Sequence, residues 1–554
     1  MNRRIPTWQS RLRWALYLLS ICGLVHGAGL AQTSAVSETA QEAQNAGKDR
    51  ILLVLPFDNR TDQPSLEWIR EAAASILSSR FTAAGFAPLS RTDRMYALDH
   101  LGLPEGFQPS RASALKLAQT LDADSIIVGS YSTNGTNLAV EARVLDVPHL
   151  RMSDAVTAQG EMHDLIAVFD SLAWKLTRVL DPGFTGTEET FVASGRGMRL
   201  DAFEQYIRGI TEPDHEERLR HLNLAVKLSP DFGAAWMALG REDYSGQQYE
   251  EAAAAFARVG RSDPDALEAG FYRGLSLLFS GQYPQAETAF HGVATVLPLA
   301  EVLNNEGVAI SRQGKDGGAQ FGAAEAADPN QADYHFNLAV TFKRRGQTSA
   351  ALAEIGQCLK LRPTDSEAQE IERAWREPAE GAAHGGVDQD TDEAAQPDPL
   401  ERIVRTFDAV AFRQAAGMID QVESARLAEL APHDRAVKLA DQARDSLARG
   451  LLLEAERLYQ SAIAADDSVA EAHAGLAEVR ERGGDNASAR KEAEKSLELK
   501  PSAQAYLVLG RLDLAENHLD EAGKESGEAL RLDPASREAQ DLSRQVAARI
   551  GKSQ

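Results

Sequence analysis

Residues 233–264 (GAAWMALGREDYSGQQYEEAAAAFARVGRSDP) and 267–298 (LEAGFYRGLSLLFSGQYPQAETAFHGVATVLP) decide the fold. Ala252, Phe256 and Pro264 of the first stretch recur as Ala286, Phe290 and Pro298 of the second, each 34 positions on. Gly240, Gly274 and Gly307 stand a constant 12 residues before Ala252, Ala286 and Ala319. Within one unit, Trp236, Leu239 and Gly240 and then Ala252, Phe256 and Val259 fall three or four apart, which predicts two amphipathic helices. Gly240 and Ala252 are small where the paired helices approach, Phe256 fills the gap between pairs, and Pro264 stops the second helix.

Working outward, the pattern weakens and returns. Residues 300–331 keep Gly307, Gly314, Ala319 and Pro329, with the aromatic moved to Phe321; residues 332–365 keep Leu338, Ala339, Gly346, Ala351, Ile355 and Pro363. Upstream, Tyr206–Gly209 and Leu222–Ala225 make a shortened first unit. A second series carries Gly450, Ala455, Tyr459 and Ala462, then Leu476, Gly484, Ala489 and Pro501, then Leu509, Gly510, Ala522, Ala529 and Pro534, with a closing helix over 536–550. A helix–turn–helix repeat of this length, with small residues in fixed places and a closing proline, resembles the tetratricopeptide family. The resemblance implies a mostly α superhelix of hairpins whose product is a surface for other proteins or peptides, not a reaction centre. In that family the first helix of each unit faces the groove. The groove candidates are therefore Met237, Arg241 and Tyr244, then Phe271, Leu275 and Leu278, then Asn304 and Val308, then Phe336, Val340 and Lys343. Phe271, Leu275 and Leu278, at i, i+4 and i+7, make a platform for a helix or an extended peptide, and the same stripe would equally serve as core.

The amino terminus speaks about address. Arg3, Arg4, Arg11 and Arg13 precede an apolar run over 14–30, and Gly29-Leu30-Ala31 is a small-x-small cleavage site. Residues 1–31 thus form a signal peptide, and the expected location is periplasmic or secreted. Retention of 14–30 as a membrane anchor and lipidation at Cys22 stay open. Membrane contact is expected only if that segment is kept. Removing residues 1–31 takes away four arginines and no acid, moving the formal charge from −24 to −28. Such a chain should avoid nucleic acid. Cys358 is then the remaining cysteine, placed on a second helix where a small buried residue is wanted. The oligomeric state is left open.

Residues 50–182 are not repetitive. Ile51–Leu55 is an unbroken apolar run, as expected of a strand buried on both faces. Helical spacing follows over 66–81 and 112–121. A second apolar strand over 125–131 turns at Asn134-Gly135 into the alternating stretch 138–144, and a helix over 165–180 closes the unit. This order predicts a small α/β layer domain. Val54-Leu-Pro-Phe-Asp-Asn59, the stretch 118–130 and the meander with Leu145-Asp146 resemble the amino-terminal domain of TolB-like periplasmic proteins. That resemblance implies an envelope interaction module and carries no catalytic residue across.

The full division expected is a signal peptide (1–31), a spacer (32–49), the α/β domain (50–182) and a first array of about five units (199–375). After these come an acidic linker (376–400), a helical hairpin (401–435) seeded by Ile403, Val404 and Phe407, and a second array of three units plus a closing helix (436–550). The linker is expected to leave the two arrays as separate bodies. Reaction motifs are thin. There is no H-E-x-x-H, no G-x-S-x-G and no phosphate-cradling loop, and Asp388, Asp390, Asp392 and Glu393 lack the glycine turn of a calcium loop. The expectation is a non-enzymatic scaffold with no catalytic residue, cofactor or metal. The alternative is a sensor or enzyme-associated subunit with a small-molecule site in 50–182.

Overall fold

The computed structural model describes residues 51–104, 110–195, 197–376, 399–408, 412, 418 and 422–553. The expected signal peptide and spacer, the acidic linker apart from its two ends, and most of 409–421 lie outside them. No helix among the described residues is long and apolar enough to cross a membrane.

The amino-terminal domain is a mixed sheet of seven strands: β1 (Ile51–Val54), β2 (Asp58–Asn59), β3 (Ala87–Pro88), β4 (Ser125–Asn134), β5 (Asn137–Asp146), β6 (Arg151–Met152) and β7 (Val156–Glu161). β1 lies parallel between β3 and β4, and β4 runs antiparallel to β5 in the hairpin expected from Asn134-Gly135. Alternate residues of β1 explain its unbroken hydrophobicity. Leu52 and Val54 enter the cluster under α1 (Ile69–Ala83) and α4 (Leu165–Leu180), while Leu53 packs oppositely with α2 (Arg91–His100) and α3 (Arg111–Thr120). Gly129 is required by Phe57, whose ring would lie 2.3 Å from any Cβ there.

A short helix, α5 (Glu188–Ser194), leads into the first array. Its hairpins are α6/α7 (Leu200–Thr211, His215–Leu228), α8/α9 (Gly233–Ser245, Tyr249–Phe256), α10/α11 (Ala266–Phe279, Tyr283–Ala294), α12/α13 (Ala300–Ser311, Gly318–Ala327) and α14/α15 (Ala332–Arg344, Thr348–Leu361). α16 (Ser366–Arg376) caps it, burying Ala368, Ile371 and Trp375. The Gly–Phe pairs behave as their spacing requires. A Cβ at Gly240, Gly274 or Gly307 would stand 2.6–2.8 Å from the ring of Phe256, Phe290 or Phe321 respectively. Phe321 therefore does in its unit what Phe256 and Phe290 do in theirs, despite its shifted position.

The second array has α17/α18 (Pro432–Ala448, Leu452–Ala465), α19/α20 (Ala470–Gly483, Asn486–Leu499) and α21/α22 (Ala503–Ala515, Leu519–Leu532), closed by α23 (Arg537–Ser553). The two arrays do not stand apart as separate bodies. Phe203 and Ile207 of α6 enter the apolar cluster of the α/β domain, as does Leu453 of α18, and α5 packs on α18 and α19. Glu456 is buried at that seam and accepts the Thr187 amide at 3.4 Å, while Gln460 pairs with Thr185.

The helical hairpin expected over 401–435 does not begin where its apolar spacing suggested. Residues 399–408 form neither helix nor strand, and 422–429 are helical. Ile403 and Phe407 find their apolar partners in the first array rather than in a helix of their own.

Candidate functional site

The candidate site is the hollow lined by the first helices of the first array, and the chain's own residues 399–408 lie in it. The fit is made through backbone. Asn337 receives the Arg402 amide at Oδ1 (2.6 Å) and donates from Nδ2 to the Arg402 carbonyl (2.8 Å). Asn305, in the preceding unit, does the same two residues on, with Val404 N at 3.0 Å and Val404 O at 2.7 Å. Asn304 adds a bond to the Arg402 carbonyl (3.0 Å) and accepts from Asn337 (2.8 Å). An extended chain presents its paired N–H and C=O groups to the same side at every second residue, so amides from successive helices can grip alternate residues. At the far end Asp408 donates its amide to Glu301 (3.1 Å).

Side chains give the segment a direction. Glu401 is almost wholly buried and meets Arg344, Ser311 and Arg312, the last at 3.3 Å. Arg402 forks onto Asp365 (2.6 and 2.9 Å), reaches Asp333 (3.1 Å) and Glu367 (2.8 Å), and lays its guanidinium 3.6 Å from the centroid of the Phe336 ring. Bidentate, planar recognition of this kind distinguishes arginine from lysine. Burial pulls the Arg402 pKa down, but the bonds from Asp365 and Glu367 more than reverse this and leave it raised. The Arg402 hydrogen bond holds the Asp365 carboxyl below its ordinary value. Phe407 packs on Phe271 at 5.5 Å between ring centroids, and Arg405 covers Phe279 at 5.1 Å.

Among the residues expected to line the groove, Phe271, Asn304 and Phe336 touch this segment. Leu275 and Leu278 are buried in the apolar cluster against which Ile403 and Phe407 pack, together with Val308. Met237 and Val340 are shut into neighbouring clusters. Arg241 pairs with Glu268 (2.6 Å), Tyr244 packs edge-on or tilted against Tyr249, Tyr272 and Phe279, and Lys343 stands over the Trp375 ring. Asn305, Asn337, Asp333 and Asp365 were not singled out from sequence. The two asparagines sit 32 residues apart on facing helices, and a polar amide at one place in successive units was the available signal.

Elsewhere the titratable groups serve packing. Arg80 and Asp170 form a buried pair (2.7 Å) in the α/β domain, where burial pushes the Asp170 carboxyl up to about 6 against the opposing pull of Arg80. A Cβ at Gly195 would lie 2.3 Å from this carboxylate, so the pair is closed over. Cys358 is fully buried, and burial pushes its thiol up to about 11, as suits core filler. Asp513, Glu516 and His518 converge within 4.8 Å, but Arg490 already bonds both carboxylates (2.7 and 3.0 Å).

A tetratricopeptide-repeat family model matches residues 237–295 and 440–504, one stretch in each array. The chain carries tetratricopeptide repeats in two arrays behind a small mixed-sheet domain. No curated protein matches its sequence. Among solved structures it is similar to MamA from Desulfovibrio magneticus RS-1 (22% identity, 31% of this chain and 100% of that one, TM-score 0.28). It is also similar to YrrB, described as a TPR protein with an unusual peptide-binding site (17% identity, 37% and 99%, TM-score 0.28). A third is the LpoB carboxy-terminal domain from Salmonella enterica (22% identity, 23% and 93%, TM-score 0.20). Likenesses at these scores carry no functional detail. The repeats themselves define a protein-interaction scaffold.

Proposed function

We propose that this chain is an exported, non-enzymatic adaptor of the bacterial cell envelope, which holds partner proteins by an extended segment laid along the hollow of its first array. The observation that carries this reading is the paired grip of Asn337 and Asn305 on the backbone of Arg402 and Val404. Backbone pairing of this kind supplies affinity for an extended chain, and pockets beside it supply choice. The arginine-rich start and apolar run over 1–31, and the resemblance of 50–182 to TolB-like domains, support the envelope address. The strong negative charge argues against nucleic acid as partner. Anchoring both arrays on the α/β domain suits a scaffold, since it fixes two binding faces on one hub. The alternative, a small-molecule sensor in 50–182, has less support, because the perturbed Asp170 there is already committed to Arg80.

The test is cross-linking in the native envelope fraction with the full chain and with an Asn305→Ala/Asn337→Ala variant. The expected result is partner adducts with the native chain and their loss in the variant, with a mature amino terminus near Gln32 by mass spectrometry. Intact Met1 in a cytoplasmic fraction, or identical adducts from both chains, would overturn the proposal.

A further inference from the structure

Residues 399–408 (PLERIVRTFD) have the form of a ligand rather than of a repeat. The first array is already closed without them, since α16 buries Ile371 and Trp375 over its last hairpin. Their contacts are of an exchangeable kind: amide-to-backbone bonds at alternate residues, an acid met by arginines, an arginine met by acids, and one ring laid on another. Arg405 and Thr406 remain exposed between the seated positions. The charges are arranged in one order along the hollow. Arg344 and Arg312 receive Glu401, Asp365 and Asp333 receive Arg402, and Phe271 receives Phe407. A chain laid in the opposite direction would put like charges together, so the seat selects sequence as well as extension.

We propose that this hollow binds a partner segment with an acid, an arginine, two aliphatic residues and an aromatic ring five positions after the arginine, and that residues 399–408 are a tethered copy of it, occupying the hollow until displaced. The proposal rests on the scaffold reading above and adds to it the chemistry of the partner and a built-in competitor. A tethered segment competes at an effective concentration on the order of millimolar, and a partner's apparent affinity falls by the fraction of time the hollow is filled. A weak imitation is then screened out, while a better-matched segment gets in.

The experiment uses the full chain and a fluorescein-labelled peptide of sequence PLERIVRTFD, with anisotropy as readout. Arg402→Ala/Phe407→Ala in the chain weakens the tethered copy and leaves the receiving residues untouched. This variant is expected to bind the peptide about tenfold or more tighter than the native chain. Adding Asn305→Ala and Asn337→Ala to it should abolish that gain. Equal affinity in the native and released chains would overturn the proposal and make 399–408 a fixed strut. A second measurement needs no variant. With free peptide at about 10 mM, above the tethered effective concentration, the native chain's Arg402 and Val404 amides should exchange with solvent faster. Both are held by asparagine only while the segment is seated, so unchanged protection would also overturn it. Failure here leaves the scaffold reading standing if envelope adducts still depend on Asn305 and Asn337. Loss of those adducts while the peptide results hold would sink the scaffold reading instead.

Discussion

The two arrays are built alike and floored differently. In the first, His335 bonds Glu354 (2.8 Å) and the Pro329 carbonyl (3.1 Å); in the second, His473 bonds Glu492 (2.7 Å) and the Asp467 carbonyl (3.1 Å) at the same spacings. The scaffold device is thus the same. The floor is not. Asn337 lies nine residues before the turn glycine Gly346, and nine before the matching Gly484 stands Gly475, where a Cβ would be 2.1 Å from the Tyr459 ring. One array spends that position on an amide that grips a backbone, and the other fills it with an aromatic side chain. The second array carries a pocket of about 520 Å³ lined by residues such as His433, Asp441, Arg444 and Glu471, whereas residues 399–408 lie along the first helices of the first array. Helix packing alone therefore does not make a peptide site; the residues left over after packing do.

The sharpest way to test this contrast is to remove the ring under each floor. Phe271→Ala and Tyr459→Ala should each lower stability by about 3–5 kcal/mol, because both rings are fully buried. Calorimetry would read the loss. Only Phe271→Ala should also speed amide exchange in 399–408, and an equal effect from Tyr459→Ala would erase the distinction.

Next in size is an attempt to convert one floor into the other. Gly475→Asn should destabilise the second array by about 1–3 kcal/mol through overpacking against Tyr459. Tyr459→Ala in the same chain should make room for the new side chain, so a double-mutant cycle should show strong favourable coupling. Additive losses would mean that Tyr459 is not what excludes an amide there.

In the first array, Asn337→Ala takes away the Arg402 amide's partner and leaves the carbonyl with the Asn304 bond alone, at a cost of about 1–3 kcal/mol. The cost should fall on local opening of 399–408, measured by hydrogen exchange, with little change in the melting of the hairpins. A global drop in melting temperature would make Asn337 a core residue.

The smallest expected effect concerns pH. The Glu354 bond raises the His335 pKa, and at His473 the bonds to Glu492 and Asp467 overcome the opposing effect of burial. A raised histidine stabilises the fold fully below its unfolded value near 6.5, and that stability is lost as pH rises through the folded value. Both arrays should therefore soften together above about pH 6.5. The second should also respond over a wider range, because burial and the neighbouring Asp513 push the Glu525 carboxyl up to about 8. Its contribution is present below about 4.5 and fades as pH rises toward 8. Glu525→Gln should remove that extra dependence in thermal melts across pH 5–9; a pH profile unchanged by the substitution would place the cause elsewhere.

Much of the fold was legible because its signal is local. A Gly and a Phe at fixed spacing recur wherever two helices must close on a ring, and β1 is apolar throughout because both its faces are covered. The site was legible only in part. Phe271, Asn304 and Phe336 could be placed on inward helices, while Asn305 and Asn337 carry no apolar period that would single them out.

What the sequence determined alone is the repeat: hairpin length, the small–large pairing inside each unit, and the order of domains along the described chain. Tertiary structure decided what fills the hollow. Ile403, Val404 and Phe407 have spacing that suits a helix, although the β-branched Ile403, Val404 and Thr406 lower its propensity. They are extended because Asn304, Asn305 and Asn337, 65–99 residues away in the chain, offer backbone hydrogen bonds that an isolated helix would have kept for itself. Backbone pairing leaves almost no mark on residue identity, so its partners appear only when the chain is folded. The same holds for the stretch leading into α5 and the second array, where Gln460 donates to the Thr185 carbonyl across 275 residues.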